Sequence, residues 1–325
     1  MPRAELAERL LAHDRAAIAE ALNLIDDHRP AQRKAAEALQ ERLMGEGDTT
    51  LRVGLTGAPG TGKSTLIDAL VRTFRRENQT VGIIAVDPSS SRSGGALLGD
   101  RVRVRSRSSD AGVFVRSMAA RDRLGGLAES TRAGVDILAS VFDVVLVETV
   151  GVGQSESDIT NLVETLVFVA QPSAGDLLQF MKAGLLELPD VYVVNKADQG
   201  PGADRTQNEL NAGMGLAESR ADGWTPPVLL ASAREGTGIG ELVDAIRSHR
   251  RHLEQSGRLA LKRQRGKVAS VLQTLERRYG SYGIGTTGGR KALAERVRQA
   301  ENRSIPVITR TLGAEIERRL RTIPS

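Results

Sequence analysis

The apolar positions change period twice along the chain. Leu6, Leu10, Leu11, Ile18, Leu22 and Ile25 recur at helical spacing, the stripe an amphipathic helix buries. Pro30 interrupts that stripe, a second helix runs on through Leu39 and Leu43, and Gly45 and Gly47 close an N-terminal helical hairpin. From Thr50 short β-branched runs replace the stripe, at 51–55, 81–86, 113–115, 144–147, 166–170, 191–194 and 228–230. Runs that are apolar on both faces suit strands of a parallel sheet covered by helices on both sides. With helical stretches between them they predict a doubly wound, mostly parallel α/β domain. After Gly257 the helical period returns, with helices predicted over 261–279, 291–300 and 305–320 and a Gly/Ser/Thr-rich linker over 280–289. The predicted division is a helical segment over 1–49, an α/β domain over 50–254 and a helical extension over 255–325. No internal repeat is visible.

Composition narrows the chemistry. The chain of 325 residues has no cysteine, which excludes disulfides, iron–sulfur clusters, thiolate zinc sites and thiol catalysis. His13, His28, His249 and His252 are its four histidines. They form no metal-ligand motif, and His249 and His252 read as exposed polar positions of a helix. Net charge is +5, but aromatic residues make up only 3%, too few for a stacking platform on single-stranded nucleic acid. The dense basic run of Arg250, Arg251, Arg258, Lys262, Arg263, Arg265 and Lys267 reads as a solvated or subunit-facing helix. No apolar run reaches the roughly 20 residues that cross a bilayer. The start, Met1-Pro2-Arg3-Ala4-Glu5, carries no apolar signal core. A cytoplasmic protein that binds neither nucleic acid nor membrane is the expectation.

The strongest chemical signal is Gly57-Ala58-Pro59-Gly60-Thr61-Gly62-Lys63-Ser64, a complete G-x-x-x-x-G-K-[ST] between a predicted strand and a helix over 65–75. This is a P-loop: its glycines turn backbone N–H groups onto phosphate oxygens, and the following helix, entered at Thr65, adds favourable partial charge. Lys63 is expected on the β- and γ-phosphates and Ser64 on Mg²⁺. Glu148 ends the strand over 144–147 beside the P-loop, at the position of a metal-shell carboxylate, and the Gly151 N–H is placed to sense the γ-phosphate. Asp87, after the second strand, and Asp100, a loop later, are further candidates for the Mg²⁺ shell; Asp100 suits a turn cap as well.

Asn195-Lys196-Ala197-Asp198 follows the strand over 191–194 and resembles the N-K-x-D run of GTP-binding proteins. A carboxylate accepts both N1–H and the exocyclic amine of guanine, whereas adenine offers no such donor pair and would leave a buried Asp198 unpaired. Ser232-Ala233-Arg234, after the next strand, resembles the last guanine-contact motif. At the position where Ras-like proteins carry a water-orienting Gln stands Val152, so slow intrinsic hydrolysis, accelerated by a partner, is expected. Arg92, Arg101, Arg116 or a partner's side chain are the candidates for transition-state positive charge.

Taken together these motifs resemble the MeaB/MMAA/ArgK family of GTPases. The stretch from Val147 to Glu156, V-E-T-V-G-V-G-Q-S-E, carries most of the likeness, supported by Val86-Asp87-Pro88-Ser89-Ser90, Gly94-Gly95, Leu98-Gly99-Asp100-Arg101, Phe114-Val115-Arg116, Leu124-Gly125-Gly126 and Ser232-Ala233-Arg234. The resemblance implies a homodimer, joined through the C-terminal helices, that binds GTP/GDP and Mg²⁺. It implies docking on a cobalamin-dependent acyl-CoA mutase, with gating of adenosylcobalamin loading and protection or reactivation of that enzyme. The chain departs from the family at Pro172-Ser173-Ala174-Gly175-Asp176-Leu177-Leu178-Gln179-Phe180-Met181-Lys182-Ala183-Gly184, where glycine, acidic and lysine positions of the usual run are replaced. Apolar Leu177, Phe180 and Met181 fit a helix core or a partner-facing patch. Rival readings are a nickel- or zinc-delivery GTPase, disfavoured by the absence of cysteine, and a P-loop kinase, disfavoured by the guanine-type base motif.

Overall fold

The computed structural model describes residues 3–27, 29–88, 110–120, 129–149, 158–172, 187–215, 220 and 222–322. The chain sorts into two compact units, one of Thr50–Thr131 with Phe142–Leu259, the other of Met1–Thr49, Arg132–Val141 and Ala260–Ser325.

The first unit is built on seven strands: β1 (Leu51–Thr56), β2 (Val81–Pro88), β3 (Val113–Ala120), β4 (Val144–Thr149), β5 (Thr165–Ala170), β6 (Val191–Val194) and β7 (Val228–Leu230). They form one sheet in the order β3-β2-β4-β1-β5-β6-β7, and each neighbouring pair is parallel. Four helices of the described residues belong to this chain segment: α4 (Lys63–Arg76), α6 (Gly202–Gly215), α7 (Ile239–Gln255) and the start of α5 (Glu129–Ala139).

Side chains alternate across the sheet as a strand period of two requires. Val167, Val169, Val191 and Val193 face a core shared with Leu66, Leu70 and Phe74 of α4 and Leu242 and Ile246 of α7. Their neighbours Phe168, Ala170, Tyr192 and Val194 face the opposite core, with Ala203 and Leu210 of α6. Strands buried on both faces therefore read as continuous apolar runs. The β3 strand is the exception. Its ladder with β2 runs on to Pro88 opposite Ala120, five residues past the predicted end, because Arg116 and Ser117 hide a strand that lies at the sheet edge.

The sheet order reverses beside β1. Strands reached after β1 lie on its β4 side, and those after β4 lie on its β5 side. At such a switch point the loops after neighbouring strands diverge and leave a crevice at their carboxyl ends.

The second unit holds α1 (Arg3–Leu11), α2 (Arg15–Ile25), α3 (Pro30–Arg42), most of α5, α8 (Arg258–Gly285, from Ala260), α9 (Gly289–Gln299) and α10 (Ile305–Thr322). The first predicted helix is in fact two. Arg9 O accepts from Asp14 N, Leu10 O accepts from His13 N, and His13 takes a left-handed φ of 61°, a Schellman closure with histidine in the usual glycine place. Asp14 then caps α2 by accepting from Ala16 N at 2.9 Å. The apolar spacing runs straight through this break, so only the polar His13-Asp14 pair marks it. Similarly, the predicted linker after residue 279 is helical to Gly285, beyond a kink where Gly280 takes φ 65° and ψ −179°. Val268, Val271, Leu272 and Leu275 of α8 share one core with Leu293 and Val297 of α9 and Ile308, Leu312 and Ile316 of α10.

Candidate nucleotide site

The P-loop joins β1 to α4 at the carboxyl edge of the sheet, next to the switch point. Its conformation is written by three glycines with positive φ: Gly57 at 142°, Gly60 at 84° and Gly62 at 87°. At Gly57 a Cβ would stand 2.2 Å from Val169 O of β5, and at Gly62 one would stand 2.6 Å from Asn195 Nδ2. Neither position tolerates a side chain. Ala58, Pro59 and Thr61 complete the turn, and Thr61 Oγ1 donates to Ala58 O at 2.9 Å. Helix α4 starts at Lys63 with Gly62 as its cap, so the first N–H groups, including those of Ser64 and Thr65, lie in a turn that has no intrahelical acceptors to offer. Lys63 is buried, and its ammonium donates to Gly57 O at 2.8 Å and Ala58 O at 3.0 Å. A positive charge is thus held at the loop by the loop's own carbonyls.

Ser64 and Glu148, both expected in the metal shell, are in contact. Ser64 Oγ donates to Glu148 Oε1 at 2.8 Å, and Glu148 lies opposite Leu55 in the β1–β4 ladder. Sheet register therefore delivers this carboxylate to the first turn of α4. Asp87 is the seventh residue of β2, paired in register with Ala119; its side chain, and all of Asp100, Gly151, Val152, Arg92, Arg101 and 173–186, lie outside the described residues. Arg116 sits mid-strand in β3, opposite Ile84. Among the described residues no three His, Cys, Asp or Glu side chains gather as a metal cluster. Mg²⁺ needs no such cluster, because it keeps several waters and takes one or two protein oxygens. The paired oxygens of Ser64 and Glu148 are hard donors of that kind.

The base motif is tied to the P-loop by Asn195. Its Nδ2 donates to Thr61 O at 2.9 Å, and its Oδ1 accepts from Ala233 N at 3.1 Å. One buried amide therefore links the phosphate loop, the end of β6 and the loop after β7. Lys196, at φ 61°, donates from Nζ to Gly60 O at 2.7 Å. Asp198 accepts from Ser232 Oγ at 2.6 Å. That hydroxyl donation, chiefly, holds the Asp198 carboxyl below its ordinary range, with the charges of Arg234 and Lys196 adding to it against the smaller opposing effect of burial. Ser232 Oγ in turn accepts from Glu235 N at 3.1 Å. The expectation that Asp198 is buried is corrected: the short 3-10 turn Ala197–Gln199 lies at the surface and Asp198 is exposed. The strand that precedes it ends at Val194, and the chain leaves the core there.

A second polar cluster escaped the sequence reading. His249, expected to be exposed, is 1% accessible, because it continues the buried stripe of α7 through Leu242, Ile246 and Leu253. Its Nδ1 lies 2.9 Å from Thr165 Oγ1 and its Nε2 3.4 Å from Asp190 Oδ1. Asp190 accepts from Arg220 Nη2 at 3.0 Å and from Leu166 N at 2.9 Å. Trp224 donates to Asp190 O at 2.8 Å and stacks at a tilt on His249 and His252. Thr165 and Asp190 precede or begin their strands, so this cluster lies at the amino edge of the sheet, away from the P-loop. The helical spacing of 246, 249 and 253 was its one legible trace.

A sequence model of the family described as "Methylmalonyl Co-A mutase-associated GTPase MeaB" matches residues 18–280. The chain belongs to the MeaB family. A putative GTPase of Pyrococcus abyssi is 47% identical over 274 residues, 83% of this chain and 83% of that one. The mouse protein named methylmalonic aciduria type A homolog, mitochondrial, is 36% identical over 268 residues, 78% of this chain and 65% of its own. A solved structure named LAO/AO transport system kinase superposes with a TM-score of 0.71 at 28% identity and covers 97% of both chains. Membership in the MeaB family makes this chain a P-loop GTPase, and the strut from Asn195 to Thr61 shows how its two nucleotide motifs are joined. No helix among the described residues is long and apolar enough to cross a membrane.

Proposed function

We propose that this GTPase is a chaperone of a cobalamin-dependent acyl-CoA mutase, gating adenosylcobalamin loading and protecting or reactivating the enzyme. The family's description names mutase association, and the mouse relative carries the name of a methylmalonic aciduria protein. The observation that carries the nucleotide half is the Asn195 bridge, which sets the base loop of Asp198 and Ser232 against the P-loop.

In this reading Gly57, Ala58, Pro59, Gly60, Thr61, Gly62, Lys63, Ser64 and Thr65 hold the phosphates, with Lys63 supplying positive charge. Asn195, Lys196, Asp198, Ser232, Ala233 and Arg234 form the base pocket. Because Asp198 is exposed, selection of guanine rests on the donor pair of the base more than on a buried acid. Ser64 and Glu148, with Asp87 and Asp100, hold Mg²⁺, whose chemistry is to neutralise charge on the phosphates. Glu148, Lys63 and Gly151 act at the reacting end. With Val152 in place of a water-orienting glutamine, hydrolysis by the chain alone is slow and is accelerated by the partner. Residues 50–254 form the GTPase domain, and the helices over 255–325 pair two copies in a cytoplasmic homodimer.

Capture of binding proteins by the chain loaded with a non-hydrolysable GTP analogue tests the assignment. Recovery of an acyl-CoA mutase subunit is expected. Equal mutase affinity in the GTP, GDP and nucleotide-free states would remove nucleotide control of docking. GTP turnover at tens per second by the isolated chain would contradict the partner-stimulated rate.

A further inference from the structure

Gln171 follows the last residue of β5, is half-buried, and is absent from the sequence motifs of the site. Its Oε1 accepts from Lys196 Nζ at 2.7 Å, and the same ammonium donates to Gly60 O at 2.7 Å. A lysine head is a point charge on a flexible stem with three rotatable donors. One acceptor leaves such a head free to swing; two acceptors on separate elements hold it. Here the two acceptors come from the end of β5 and from the P-loop, while the lysine comes from the loop after β6.

The backbone aims the stem toward that contact. Lys196 takes φ 61° and ψ 36°, a left-handed conformation uncommon for a side-chain-bearing residue. Its stem then passes over Gly62, where a Cβ would come within 3.8 Å of Lys196 Cε. Asn195 beside it is fixed by its own bonds to Thr61 O and Ala233 N. Asn195 therefore fastens the inner side of the P-loop, and the Gln171–Lys196 pair fastens its outer tip at Gly60.

We propose that Gln171 is a positioning residue for guanine-nucleotide binding, acting through Lys196 to hold the base loop on the tip of the P-loop. This rests on the guanine-nucleotide reading above and adds a residue to it. A site whose two halves are already in register loses less freedom when a ligand bridges them. Removing the strut therefore weakens GTP and GDP alike, and the loss falls mainly on the dissociation rate. A charge-assisted hydrogen bond of this kind corresponds to a change in affinity of roughly tenfold.

The test is stopped-flow and equilibrium binding of fluorescent GDP and of a fluorescent non-hydrolysable GTP analogue to the full chain. Gln171→Leu, which keeps the bulk and removes the acceptor, is expected to raise both dissociation constants by about tenfold. Gln171→Glu, which keeps an oxygen at the same reach, is expected to stay within about twofold. In a Lys196→Ala background, Gln171→Leu is expected to add nothing, because its action passes through the lysine. Thermal midpoints of the nucleotide-free variants are expected to match the parent chain's. Two results would overturn the proposal alone: tight guanine-nucleotide binding that Gln171→Leu leaves unchanged, or an equal loss with and without Lys196. Failure of the unsubstituted chain to bind either nucleotide would overturn both the proposal and the reading beneath it.

Discussion

At Asp198 an exposed carboxylate is asked to tell two purines apart. Its ionised form accepts twice, matching the N1–H and 2-amine donors of guanine. Asp198→Asn replaces one acceptor with a donor, which opposes the guanine amine and matches the 2-carbonyl of xanthine. GTP affinity is expected to fall on the order of 100-fold, with a gain for xanthosine triphosphate, read by competition against a fluorescent nucleotide. The protonation state follows from the neighbours. Ser232 Oγ, first, then the nearby backbone and the Arg234 and Lys196 charges hold the carboxyl below the usual aspartate range. The depressed value means that base recognition persists as the pH falls through that range and is lost only below it. Ser232→Ala removes the largest of these causes, so the acid limb of the GTP-binding profile is expected to move upward in pH. An unmoved limb would show that the hydroxyl does not set the charge state. The residue types of this pocket are legible in the motif spacing. The exposure of Asp198 is not, because it depends on where the chain leaves the sheet after Val194.

Among the elements, the break between α1 and α2 turns on one aspartate. Asp14 accepts from Ala16 N as the α2 cap and from Arg9 Nε at 2.8 Å as an ion-pair partner on α1. The bond from Arg9, above all, lowers its pKa, assisted by the backbone donors of Ala16 and Ala17. With the folded value below the unfolded one, the carboxylate's contribution is fully present above the ordinary aspartate pKa and fades as the pH falls through the folded value. Asp14→Asn keeps an acceptor for the cap and loses the charge; Asp14→Ala loses both. The expected order of thermal midpoints at neutral pH is parent, Asn, Ala, and the parent–Asn gap closes at low pH. A gap that held constant with pH would exclude the ion pair as its source. The two helices were read as one because a Schellman closure lets the apolar stripe resume in phase. By contrast, β5 and β6 were readable almost to the residue, since every position in them is buried and nearly all are apolar.

Across the whole GTPase unit the parallel sheet keeps two polar regions apart. Its carboxyl edge carries the P-loop, Glu148 and the base loops; its amino edge carries Asp190, His249, Arg220 and Trp224. The first was legible because its chemistry demands fixed residues at fixed spacing. The second was not, because it joins residues 165, 190, 220, 224 and 249, which only the fold brings together. Its work is structural: a buried carboxylate accepts from Arg220 and from the Leu166 N–H at once, with His249 Nε2 3.4 Å away. Asp190→Ala strands both donors, a loss of about 3–5 kcal/mol for a broken buried pair. Trp224, the chain's one tryptophan, makes the event visible as an earlier transition in denaturant followed by its fluorescence. Saturating GTP and Mg²⁺ should still stabilise this variant as much as the parent, by roughly 2.7 kcal/mol at a hundredfold excess over the dissociation constant. The bridges from Asn195 and Lys196 to the P-loop do not pass through the amino edge. If the variant lost its nucleotide-induced shift while remaining folded, the two edges would be coupled through the strands, and the separation argued from their positions would fail.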